Sequence, residues 1–348
     1  MPYTNIDDPS AHFQVKLWTG NATAGNTITL DGNSDMQPDW MWHKEPTDTN
    51  GWHQMDSSRG PTYVLASQST TAEYDVLNSY ISSFNSNGFT AGSGDSSINS
   101  NGVSQCSWMW HCNGGTTSSN TDGSITSTVQ ANQDAGFSIV TWTGNESASA
   151  TVGHGLGVTP KVVMIKSRSG AYSWNVYLGA LPQTGGNNMF CFLDTDSSAF
   201  QVAGTAFNSS TFQPTGNVKR NAGSMVAYCF ADIQGYSKFG SYVGNGETPN
   251  GTFVYTGFKP ALIITKNADA TDSWNLLDNK RSPYNVANKY LQADNGNAEG
   301  TYTFYDILSN GFKIRNTGNA NISGNTITYM AWAENPFVTS TGVPTTAR

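Results

Sequence analysis

The chain has 348 residues and a formal net charge of -8 at pH 7, and only 12% of its residues are charged, yet its mean hydropathy is -0.42. Ser, Thr, Asn and Gly supply the polarity, a composition of short strands joined by many turns rather than of helices. An acidic balance with no cluster of Lys or Arg argues against a nucleic-acid surface, and no apolar run approaches the length of a membrane span.

The opening MPYTNIDDPS has neither the basic start nor the apolar stretch of a signal peptide, which predicts synthesis in the cytoplasm. From there Phe13, Val15 and Leu17 alternate with polar residues, as in a strand with one buried face, and lead into Trp18-Thr19-Gly20-Asn21. The same entry recurs at Phe137 to Asn145 and at Phe239 to Asn245. Gly-Asn after an aromatic predicts a turn that uses positive φ.

Next comes a proline with a lysine six residues after it and a tryptophan fourteen residues after it. The set occurs three times, at Pro38, Lys44, Trp52, at Pro160, Lys166, Trp174 and at Pro260, Lys266, Trp274. Identical spacing at three places identifies three copies of one unit. The runs after the proline, such as Val162 to Ile165, predict strands covered on both faces, with the proline where no ladder donor is lost. After the tryptophan, repeats 1 and 3 share Asp-x-x-Arg, at Asp56 with Arg59 and Asp278 with Arg281, and Ser-Asn-Gly-Phe at Ser86 and Ser309. Repeat 2 has Leu178 and Leu181 in place of the acid and the arginine. Each copy closes on an apolar strand whose last aromatic, Trp110, Tyr228 or Trp332, is expected to be equivalent. Thr71 to Phe84, with Tyr74, Leu77 and Ile81 at helical spacing, is the one candidate helix.

These features predict an all-β chain of three tandem antiparallel β-sandwich modules, residues 1–112, 135–235 and 236–335. A Gly/Ser/Thr linker, 113–134, separates the first two, and a polar surface tail, 336–348, follows the third. The four cysteines fall at unrelated places in the copies and are expected to be buried thiols.

The candidate binding residues are Trp40, Trp42, Asp56, Arg59, Asp278 and Arg281. Trp40 and Trp42 occur in repeat 1 alone, on one strand face, and would serve a ligand or subunit contact if exposed. The Asp-Arg pairs could grip sugar hydroxyls, or could clamp the loop after the tryptophan strand, which is the favoured reading. The recurring lysines read as solvated charges at strand ends and the recurring tryptophans as module cores. A metal site on His43, His53 and His111 would need the fold to bring ligands together, which spacing does not show, no paired carboxylates or nucleophile with its base recurs, and no metal, cofactor or catalytic residue is expected.

Taken together, Trp-Thr-Gly-Asn, Gly-Leu-Gly-Val-Thr-Pro-Lys-Val-Val-Met-Ile-Lys, Ser-Asn-Gly-Phe-Lys-Ile-Arg and the closing Ala-Glu-Asn-Pro-Phe-Val resemble a family of virion proteins of tailed bacteriophages, common among marine phages. That family is built of repeats of a domain of unknown function likened to concanavalin-type jelly rolls, and the resemblance runs from about Tyr3 to Arg348. It implies a jelly-roll-like fold, location in the virion, contacts with other phage proteins, self-association and no established catalytic residue. The expected role is a tail-fibre or receptor-binding component facing a host-surface glycan or receptor, with capsid decoration or head fibre as the alternative. A glycan-degrading enzyme is the alternative of another class.

Overall fold

The structure, a computed structural model, describes residues 2–92, 97–183, 185–214 and 222–345. Those residues form strands, turns and a single 3-10 turn at Pro9–Ala11, with no α-helix among them. Repeat 1 contributes β1 (Phe13–Thr19), β2 (Thr27–Ile28), β3 (Trp40–Lys44), β4 (His53–Asp56), β5 (Gly60–Leu65), β6 (Tyr74–Asp75), β7 (Ile81–Asn85), β8 (Gly88–Ala91) and β9 (Ser104–Trp110). Then come β10 (Ser118–Asn120), β11 (Ser127–Asn132), β12 (Phe137–Asn145), β13 (Val152–Gly153), β14 (Val162–Ser167), β15 (Asn175–Leu178), β16 (Asn188–Phe192), β17 (Phe200–Val202), β18 (Thr211–Phe212) and β19 (Ala222–Phe230). Repeat 3 supplies β20 (Ser237–Val243), β21 (Phe253–Tyr255), β22 (Phe258–Asn267), β23 (Asn275–Asp278), β24 (Ala287–Gln292), β25 (Gly300–Leu308), β26 (Gly311–Ile314) and β27 (Thr326–Pro336).

Each repeat has one large antiparallel sheet with the same centre. The orders are β1-β9-β3-β4-β5-β6, then β10-β11-β12-β19-β14-β15-β16-β17, then β20-β27-β22-β23-β24-β25-β26-β21. Two smaller sheets, β2-β8-β7 and β13-β18, lie within repeats 1 and 2. The strand after each recurring proline is buried on both faces, as its unbroken apolar run requires. On β14, Val163 and Ile165 face a core of repeat 2 alone, whereas Val162 and Met164 face a core common to all three repeats. β3 and β22 divide in the same way, with Met41 and Ile263 on the private side and Trp40, Trp42, Leu262 and Ile264 on the common one. Pro260 lies inside β22 and coincides with a register shift, since it has no amide for the ladder.

Three expectations are corrected. Thr71 to Phe84 is not a helix: Tyr74 and Ile81 lie on β6 and β7, and Leu77, 78% exposed with φ +48°, is the tip of the turn between them. Residues 113–134 are not a linker, because β10 and β11 extend the repeat 2 sheet beyond β12. Ile125 and Val129 anchor that segment in the repeat 2 core, and only two such side chains among Ser, Thr and Gly hid its pattern. The equivalent of Trp110 is Phe230 rather than Tyr228, because Trp110, Phe230 and Trp332 stand opposite Trp40, Val162 and Leu262, each two residues after its proline.

The Gly-Asn signal also works differently from the expected positive φ. A Cβ on Gly20 would lie 2.2 Å from the Ser100 carbonyl oxygen, and one on Gly244 2.3 Å from that of Ile322, so both glycines permit close backbone approach. The following Asn21 and Asn245 donate their amides to the side chains of Asn99 and Asn321. The tail packs back on the N-terminal segment, where Ser340 donates to the Asp7 carboxylate. All four cysteines are buried free thiols.

Candidate functional site

The residues that recur in sequence converge where the repeats meet. Trp110, Phe230 and Trp332 touch one another in the middle, with ring centroids 6.3 Å apart for Trp110–Phe230, 5.4 Å for Phe230–Trp332 and 5.2 Å for Trp110–Trp332. Three equivalent side chains in mutual contact mark a pseudo-three-fold axis.

The tryptophans close the ring around it. Each indole N–H crosses to a neighbouring repeat: Trp174 donates to the Ala66 carbonyl at 2.9 Å, Trp274 to Phe192 at 2.8 Å and Trp52 to Gln292 at 2.8 Å. The three acceptors occupy the same place in their repeats, two residues before the side chain that binds the tryptophan's own amide in repeats 2 and 3 (Asp194, Asp294) and before Gln68 in repeat 1. A second set of equivalent bonds runs in the backbone. The amides of Glu73, Ala199 and Glu299 donate to the carbonyls of Arg168, Ala268 and Pro46, each acceptor two residues after a recurring lysine. These tryptophans are therefore core residues of the assembled ring, and the contact from repeat 3 back to repeat 1 completes it.

The lysines hold the loops that accept those amides. They are not solvated charges: Lys44, Lys166 and Lys266 have no exposure. Lys44 donates to the carbonyls of Glu45 and Asp48, Lys166 to Ser167 and Gly170, and Lys266 to Asn267 and Ala270, the same two carbonyls in each repeat. Lys166 also reaches Tyr172 and, across the junction, Thr70. Burial pushes the ammonium groups of Lys44 and Lys166 down to about 8. Lys166→Met should lower stability by about 2 kcal/mol, the cost of leaving buried carbonyls unpaired. Urea unfolding checks this; a midpoint equal to that of the parent would mean that solvent or other donors satisfy the loop.

The Asp-x-x-Arg pairs sit at two of the three junctions. Asp56 takes the Arg59 amide at 2.8 Å and its Nε at 2.5 Å; Asp278 takes the Arg281 amide at 2.8 Å and its Nε at 2.6 Å. Each guanidinium also pairs with a glutamate, Arg59 with Glu73 and Arg281 with Glu299. The neighbouring repeat then supplies a donor to the acid: the Tyr228 hydroxyl to Asp56 at 2.7 Å, and the Trp108 indole to Asp278 at 3.3 Å. Burial opposes the charge on both arginines, but Asp56 and Asp278, with the glutamates, outweigh it and raise their pKa. Burial likewise pushes Glu73 up, and Arg168 and Arg59 overcome it to hold the carboxyl below its usual range. At the third junction all four positions are apolar: Leu178, Leu181, Ala199 and Met330 pack in or against the common core. The change at the junction of repeats 2 and 3 is thus a concerted replacement of a charged cluster by an apolar one.

The binding reading of these six residues is corrected by burial. Trp40 and Trp42 have no exposure; Trp40 stacks on Tyr228 and Trp110 at 4.4 Å each, and Trp42 packs on Trp52. Asp56 and Asp278 are likewise fully buried, so the pairs act as loop clamps and junction contacts with no hydroxyl of a sugar within reach. Sequence reasoning assigned no junction role to Glu73, Glu299, Tyr228 or Trp108; the signal was their joint replacement at the third junction, by Ala199 of repeat 2 and Met330 of repeat 3, which only register makes visible.

A separate polar group lies inside repeat 1. His43 and His53 pair across β3 and β4 with rings 6.1 Å apart, and both nitrogens of His53 are buried with no hydrogen-bond partner among the described residues. Among the described residues no group of three or more His, Cys, Asp or Glu could hold a metal ion. Burial pushes His43 down to about 3 and His53 to about 4. An unfolded histidine protonates near 6.5, so below that pH the unfolded chain binds more protons, and stability present above pH about 6.5 is lost as pH falls toward 4. His53→Asn, which installs the residue found at Asn175 and Asn275, should shrink the fall in melting temperature between pH 7 and pH 4.5. An unchanged fall would place the acid sensitivity elsewhere.

A family model described as a domain of unknown function, DUF7483, matches residues 8–336. The chain belongs to that family. Neither a curated protein nor a solved structure matches it. The match spans all three repeats as one unit, the extent over which the DUF7483 chain shares its central core. No helix among its described residues is long and apolar enough to cross a membrane.

Proposed function

We propose that the chain is a structural component of a tailed-phage particle, in which three tandem jelly-roll-like sandwiches are fused into one rigid body. Private cores on the outer side of each large sheet support the sandwich reading, two of them roofed by a small second sheet. The observation that carries the functional reading is the use of the repeated charged and aromatic residues: they close the ring, and the turns between strands are left for the outer surface. Such a body suits a tail-fibre or receptor-binding part that presents loops to a host glycan or protein, and is non-catalytic in this reading.

Gold-labelled antibody on intact particles tests it. Label at the tail is the expected result. Label spread over the head would replace attachment by capsid decoration, and particles without label would overturn the structural role.

A further inference from the structure

β1, β12 and β20 are equivalent strands, since Phe13, Phe137 and Ser237 stand opposite Trp110, Phe230 and Trp332. Each is the strand of its repeat that lies outside β9, β19 or β27, and the three outer edges are treated differently. That of β12 is covered by β11, with Gln130 opposite Ile139. That of β20 is closed by the preceding turn: Ser237 exchanges backbone hydrogen bonds with Ile233, and the Phe239 amide donates to the Asp232 carboxylate.

The edge of β1 is open. The His12 carbonyl and the Gly20 amide bond toward β9, so the alternate residues Phe13, Val15 and Leu17 aim their backbone groups the other way. Those of Val15 and Leu17 have no partner among the described residues. A cleft of about 380 Å³ runs along this edge, with Phe13 and Val15 on one side and Ala261, Asn279 and Lys280 of repeat 3 on the other.

A side chain across the cleft is also waiting for a partner. Asn279 is the equivalent of Ser57, because their amides donate to the equivalent carbonyls of Ala261 and Asp39. At the filled junction Ser57 Oγ meets the Gln130 side chain of β11, taking its amide at 3.1 Å. At the open one Asn279 lines the cleft, and its Oδ1 has no hydrogen-bond partner among the described residues; that oxygen is closed to solvent, so the side chain turns toward β1 to meet a donor.

We propose that the β1 edge is a docking site for one extended strand of a partner polypeptide, which adds antiparallel to β1 as β11 adds to β12 and donates a side-chain amide, opposite Val15, to Asn279 Oδ1. The strand is uncharged. Charges at the cleft already have partners, Asp31 with Lys16 and Lys280 and Glu334 with Lys259, and β11 itself reads Ser-Thr-Val-Gln-Ala-Asn. Main-chain hydrogen bonds give affinity in this mode and the side-chain contact gives register. The inference does not depend on whether the chain belongs to a particle.

The probe is a fluorescein-labelled peptide with the sequence of residues 125–132, titrated into the full chain and followed by anisotropy. Saturable binding is expected, weakened about tenfold by Asn279→Ala and by leucine in place of the peptide's glutamine. Val15→Pro, which removes an outward amide, should abolish it; if that variant does not fold, Asn279→Ala and the altered peptide decide. No saturable binding up to about 1 mM, or equal binding to parent and Asn279→Ala, overturns the proposal.

Discussion

Arg59→Leu is expected to lower the stability of the whole chain by about 3–5 kcal/mol, because it strands the Asp56 carboxylate, which has no exposure, beside a neutral leucine. The third junction supplies the compensated form of the same change. Converting all four positions together, Asp56→Leu, Arg59→Leu, Glu73→Ala and Tyr228→Met, copies the set that repeat 2 and repeat 3 already share at Leu178, Leu181, Ala199 and Met330. The quadruple variant should therefore be more stable than Arg59→Leu alone, since a well-packed apolar cluster can replace a buried ion pair without loss. Arg168, which also pairs with Glu73, is 23% exposed at its side chain and can be solvated once the glutamate is gone. Chemical denaturation of the single and quadruple variants checks the pair of results. A quadruple variant less stable than the single one would mean that the junctions are not interchangeable and that the charged set is specific to its site.

Trp174→Ala should destabilise all three repeats together, by about 3–5 kcal/mol. The indole is fully buried in the common core and bonds to Ala66 of the preceding repeat, so its loss opens a cavity where two sheets meet. For the same reason the parent chain should unfold in one calorimetric transition despite its length, with van't Hoff and calorimetric enthalpies in agreement. A thermogram with three resolved transitions, only one of them shifted by Trp174→Ala, would show that each repeat is stable by itself and that the common core is marginal.

Much of this was legible in the amino-acid sequence. Period-two alternation and turn residues specify strands, and the fixed spacing of proline, lysine and tryptophan gives the number of repeats. What those three residues do was not legible, because their roles are fulfilled between copies. Lys166 looks like a strand-end charge until Thr70 of the neighbouring repeat is placed over it, and Trp52 looks like a private core residue until Gln292 accepts its indole N–H. Trp40 and Trp42 look exposed for a related reason: a sheet has two faces, and a strand pattern alone cannot say that the second face is buried in a core shared with the neighbouring repeats. The segment 113–134 failed through composition, since Ser and Thr serve a covered edge strand as well as a loop.

The contact from repeat 3 to repeat 1 also limits how the gene can change. In an open array of repeats, unequal recombination adds or removes a copy and leaves a longer or shorter protein with the same ends. Here the loss of one copy would remove a partner from each of the other two and leave Trp110, Phe230 or Trp332 without a centre to fill. Copy number is thereby fixed at three. A substitution that spreads from one copy to another by gene conversion meets a different neighbour when it arrives, so homogenisation of the copies is opposed as well.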